Sequence, residues 1–166
     1  MNGFNNFINA HQNIVAVIVV ISILCFIKIS KLNLKNKKFI VAMAISLLLY
    51  VIFIFSKFVF CRSETFQSPN LDFLWSYRAM LKGENGMFSQ IFLNIMAFIP
   101  IGCFANECLC GKRKNMRMLS SVIFGFFVTL SVESLQFFLH KGMFELDDIF
   151  NNTIGILIGV VITLFI

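Results

Sequence analysis

From Met118 to Leu139 the only charged residue is Glu133, in a stretch otherwise long and apolar enough to span a bilayer. A charge at that depth costs about 2.5–3.5 kcal/mol on insertion scales, so a partner or a task should compensate it. Gln136 follows three residues later on the same helical face. A short acidic turn, Glu145-Leu146-Asp147-Asp148, then opens the last apolar segment, which carries Asn152. A desolvated carboxyl in such company can act as a general acid or base, hold a polar ligand, or carry a proton. It can also lose its charge, or bond Gln136, and do no more than join helices. Asp148 has a comparable structural reading as the acid that caps a helix N-terminus, and Asn152 as a helix–helix hydrogen bond.

The elements that must position these groups are membrane helices. The 166 residues are 58% hydrophobic and only 13% charged, with 22 Phe. A small soluble domain would carry about 25% charge. The fold class expected is therefore an all-α, polytopic integral membrane bundle in a single domain, 1–166. Hydropathy places about five spans, at 13–28, 39–60, 89–105, 118–139 and 149–166. Nine of the fourteen Lys and Arg fall in two short segments, Lys28 to Lys38 and Asn106 to Arg117. By the positive-inside rule both are cytoplasmic, which puts the N-terminus outside and the C-terminus inside. The net charge of +6 thus reflects topology; no basic patch with aromatic platforms suggests a nucleic-acid partner. The first apolar segment ends in lysines, not in a small-residue cleavage site, and reads as a retained helix.

The five cysteines read as unpaired, and Cys108-Leu109-Cys110 with Cys103 lacks the spacing of a metal site. Trp75 and Tyr77, in the loop between Cys61 and Phe88, read as interface anchors. Pro100 lies inside the third span, where it removes a backbone donor and should kink the helix and free the carbonyl of Met96. The fourth span carries Ser121, Gly125, Thr129, Glu133, Gln136 and His140 on one stripe, and the fifth carries Asp148, Asn152, Gly155 and Gly159. Gly155-x-x-x-Gly159 permits close backbone approach, and the expectation is that these two seams pack on each other. Glu133 then lies about 10 Å below the outer end of its helix at 1.5 Å per residue. Asn94, Glu133, Gln136, Asp148 and Asn152 can converge there on one shallow site, open to the exterior.

Three blocks, Asn94-x-x-x-Phe98-x-Pro100-x-Gly102, Glu133-x-x-Gln136, and the acidic turn running through Asp148-x-x-x-Asn152-x-x-Gly155, resemble the VanZ-like membrane proteins over residues 70–160. There are departures from the family pattern. Glu145 stands where the acidic turn usually begins with Asp, Gly142 stands at an often basic position with Lys141 beside it, and Asn70-Leu71-Asp72-Phe73 lacks the family's Pro. The resemblance implies a role in tolerance of teicoplanin-type glycopeptides or lipoglycopeptides at the bacterial envelope; it names a phenotype and not a reaction. The partners expected are membrane lipids and a lipid-linked envelope precursor or lipoglycopeptide. A binding or envelope-modifying accessory protein ranks first. A membrane enzyme with Glu133 as acid or base ranks second, with Glu145, Asp147 and Asp148 as candidate ligands of a divalent cation. A transporter ranks third, because no internal repeat is visible. No cofactor motif is evident.

Overall fold

The computed structural model describes residue 18 and residues 20–22, 36–60 and 68–165. The expected first span, 13–28, together with Cys25, Cys61 and most of the lysine-rich segment after that span, lies outside or largely outside them. The described chain is helical. Helix α1 runs Asn36–Phe55 and continues into a π-helical turn, Ser56–Phe60; α2 is Trp75–Leu81, α3 Met87–Cys108, α4 Lys114–Phe138 and α5 Leu146–Ile162. Among the described residues, Lys37–Phe60, Met87–Cys108 and Lys114–Phe138 are long and apolar enough to cross a membrane.

The hub is α3. Every residue from Ala97 to Asn106 is buried, as a helix that is apolar on all sides requires. It passes through Pro100 as one element, and the hydroxyl of Tyr50 on α1 donates to the carbonyl of Ala97 at 2.8 Å, next to the acceptor that the proline leaves without its donor. Tyr50, Ile54, Ala97, Phe98, Ile101, Val128, Val132, Ile156 and Val160 form the main core and draw on α1, α3, α4 and α5.

The glycine seam of α5 faces α3, and this corrects the expectation that it faces the fourth span. A Cβ on Gly155 would stand 3.0 Å from the carbonyl carbon of Ile95, and one on Gly159 would stand 3.0 Å from the Cα of Gly102. A Cβ on Gly102 would in turn meet the carbonyl carbon of Ile156 at 2.9 Å. These pairings advance together along both chains, so α3 and α5 run parallel with their backbones in near contact. The seam of α4 is buried as its period predicts, through Ser121, Gly125, Thr129, Glu133 and Gln136. It receives the side chain of Ile156 at Gly125, while His140, the last position of the predicted stripe, is exposed.

Candidate functional site

The close approach of α3 and α5 sets the first pair. Asn94 on α3 donates from Nδ2 to Oδ1 of Asp148 at 2.6 Å, across helices, with both side chains buried. Asp148 sits in the first turn of α5, where the helix dipole favours a negative charge. A carboxylate only accepts, so the Asn94 amide is held with its nitrogen toward Asp148.

The α4 stripe supplies the next layer. Glu133 is 1% exposed, and its Oε2 accepts the backbone N–H of Glu145 at 3.3 Å. One turn toward the 139–145 connection, Gln136 donates from Nε2 to the carbonyl of Phe58 at 2.9 Å, which ties α4 to the π-helical turn. One turn the other way, Thr129 accepts a bond from Nδ2 of Asn152 at 2.8 Å. Gln136 Oε1 and Asn152 Oδ1 are buried and have no hydrogen-bond partner among the described residues. The five residues expected to converge therefore lie at one end of the bundle but divide among separate contacts. Asn94 meets Asp148, Glu133 meets the acidic turn, Asn152 meets Thr129, and Gln136 meets Phe58.

The turn and the preceding loop are built together. Asn70 donates from N to Phe144 O at 2.8 Å and accepts from Leu146 N at 3.3 Å, a parallel bridge between segments some seventy residues apart. Asp147 caps α2 from a distance: Oδ1 accepts Leu74 N at 2.5 Å, and Oδ2 accepts Ser76 N at 2.8 Å and Ser76 Oγ at 2.6 Å. Leu74 has φ +62°, a left-handed conformation that costs a non-glycine residue roughly 1–2 kcal/mol, and these bonds hold it. Trp75 Nε1 donates to Glu145 Oε2 at 3.2 Å, and the Tyr77 hydroxyl donates to Asn151 Oδ1 at 2.5 Å. Their polar ends therefore turn toward α5. Burial, and then the charge of Asp147, raise the Tyr77 pKa, which keeps the hydroxyl a donor.

Sequence reasoning passed over Asn151, Ser76, Asn70 and Phe58 as contributors to this end of the bundle. Asn151 lies next to a selected residue and is 0% exposed. Its signal was a second amide in an apolar helix. Phe58 acts through its carbonyl, for which the side chain gives no signal. The candidate metal ligands take different partners: Glu145 the Trp75 indole, Asp147 the start of α2, Asp148 the Asn94 amide. Among the described residues no group of three or more His, Cys, Asp or Glu could hold a metal ion.

No curated protein and no solved structure matches the chain. A family model does match, and it extends well beyond the 70–160 region that carries the sequence motifs. Described as VanZ/LLP1, that model covers residues 14–166, and the chain belongs to this family.

Proposed function

We propose that this protein is a five-span protein of the bacterial cytoplasmic membrane, N-terminus outside and C-terminus inside, that binds a lipid-linked or lipidated ligand at its outer face. Through that binding it contributes to tolerance of teicoplanin-type glycopeptides or lipoglycopeptides. Family membership and the apolar helices support the membrane setting, and the two basic segments support the orientation. The observation that carries the binding reading is the state of the buried amides. Gln136 Oε1, one turn from Glu133 on α4, and Asn152 Oδ1, on α5 beside Thr129, have no hydrogen-bond partner among the described residues, although nearly every buried polar atom of a folded protein finds one. A bound polar group would complete them, while the surrounding apolar helix faces accommodate an acyl chain.

The test is Glu133→Gln, expressed in a teicoplanin-susceptible host at a membrane level matched to wild type. Tolerance should fall to that of cells lacking the protein, and mass spectrometry of the purified protein should show loss of one co-purifying lipid species. Unchanged tolerance and an unchanged lipid profile at equal level would remove Glu133 from the function. Conversion of the retained species by wild type, lost in the variant, would favour an enzyme.

A further inference from the structure

We infer that the end of the bundle opposite the Asn94–Asp148 pair binds an anionic phospholipid, with its phosphate at Lys37 and Lys38 and an acyl chain along α1. Helix α1 runs antiparallel to α3. Tyr50 meets Ala97, while Met43 and Phe39, nearer the start of α1, pack in one cluster with Cys103, Phe104 and Cys108 near the end of α3. The start of α1 therefore lies toward the turn that joins α3 to α4. Lys37 and Lys38 on the first element, and Lys112, Arg113 and Lys114 on that turn and the start of α4, are all exposed. Among the described residues none of the five is paired with an acid. Glu107 is the only acid in the segments 28–38 and 106–117, and Arg117 already faces it at 3.8 Å. This end therefore presents positive charge that the protein itself does not offset.

Beyond the two lysines α1 is apolar and open. Lys37, Lys38, Val41, Ala42 and Ile45 line one shallow groove. Val41, Ile45, Leu48 and Ile52, at steps of four, three and four residues, carry it on as a single exposed stripe. From Val41 to Ile52 the stripe is about 16 Å long at 1.5 Å per residue, close to half of a ~30 Å hydrocarbon core and so to the depth of one leaflet. Cations at the head of an aliphatic track of that length match a lipid; a free anion or an acidic protein segment would leave the track unmatched. The sign of the charge selects among lipids. A zwitterionic head group brings its own cation, which the lysines repel, whereas an anionic phosphodiester gains roughly fivefold in affinity for each Lys or Arg near it.

Full-length protein in phosphatidylcholine vesicles at low ionic strength is probed with trace spin-labelled phosphatidylglycerol and spin-labelled phosphatidylcholine of the same acyl chain. The fraction of each label immobilised on the protein gives their relative affinity. Phosphatidylglycerol should be preferred at least about fivefold, the effect of one cation. The preference should shrink toward unity in about 1 M salt, where the screening length falls to about 3 Å. Lys37→Gln combined with Lys38→Gln should lower it about fivefold or remove it. Lys82→Gln, at an exposed lysine just beyond α2, should leave it unchanged. Equal binding of the two labels by wild type, or a preference that survives the double substitution, overturns the inference. Displacement of the lipid by excess glycerol phosphate, which carries a phosphate without chains, would mark a free-anion site and also overturns it. The wild-type lipid comparison and its salt dependence decide the matter even where the double variant fails to fold.

Discussion

Replacing Gly155 with alanine should wedge α3 and α5 apart. The added methyl carbon would stand 3.0 Å from the carbonyl carbon of Ile95 and 3.2 Å from its Cα, both of them backbone atoms that no rotamer change can move aside. Carbon atoms in contact sit at about 3.5–4.0 Å, and the Ile95 carbonyl oxygen would be closer still to the added carbon, so the helices must separate locally by about 1 Å or more. Overpacking of this kind costs about 1–3 kcal/mol. The Asn94–Asp148 bond, 2.6 Å, joins the residue next to Ile95 on α3 to one two turns from Gly155 on α5, and would lengthen toward or beyond the limit of about 3.2 Å, at a further ~1–2 kcal/mol. A combined loss of about 3 kcal/mol corresponds to a fall in Tm of roughly 6–12 °C for a chain of this size. Thermal unfolding of the purified protein in detergent, followed by the emission of Trp75, its single tryptophan, measures it. Gly111→Ala is the matched control, because a Cβ there meets nothing within 4 Å. A Tm for Gly155→Ala within about 2 °C of the control would refute the close parallel packing, since overpacking could not then cost its minimum.

Asp147→Asn should weaken the start of α2 by about 1–2 kcal/mol, seen as faster hydrogen exchange at Leu74 and Ser76 and a shifted Trp75 emission; unchanged exchange would show that the cap contributes nothing. His140 occupies, at φ +53°, the position that follows the C-cap of α4, with Lys141 N bonded to Gln136 O at 2.7 Å and His140 N to Phe137 O at 3.1 Å. Glycine is the usual residue there, so His140→Gly should be more stable than His140→Ala by about 1 kcal/mol in denaturant unfolding, and equal stability of the two variants would contradict the turn geometry. The raised pKa of Tyr77 means that its contribution to stability is complete below the ordinary tyrosine value near 10 and is lost as pH rises through the higher folded value. Ultraviolet titration of wild type against Tyr77→Phe should show that the transition lost in the variant lies above the ordinary tyrosine range, and a lost transition near 10 would contradict the raised value.

The α4 stripe could be read from spacing, because helical period depends on local geometry alone, and Ser121, Gly125, Thr129, Glu133 and Gln136 are buried as the period requires. Four of the five apolar segments coincide with described helices, while α2 lies in the segment read as a loop and gave no apolar signal. The 39–60 segment becomes α1 with its π-helical turn, 89–105 becomes Met87–Cys108, 118–139 becomes Lys114–Phe138, and 149–166 becomes Leu146–Ile162. The start of the last element shifted because Leu146, Asp147 and Asp148, read as a turn, already belong to its first helical turn.

The amino-acid sequence by itself determined that the chain is a bundle of apolar helices, which faces of α4 and α5 are small and polar, and to which family the motifs belong. Period and hydropathy are properties of one segment in one solvent. Partners were decided only by tertiary structure. The glycines of α5 could have met either neighbour; they meet α3, where Gly102 lets two backbones touch. Asp147 looked like a cation ligand and instead caps a helix beginning 72 residues earlier, because the Asn70–Glu145 bridge brings that helix start beside it. Glu133 advertised its cost in the sequence, but among its contacts is a backbone N–H of the acidic turn, a group that every residue except proline carries and that no spacing rule can single out.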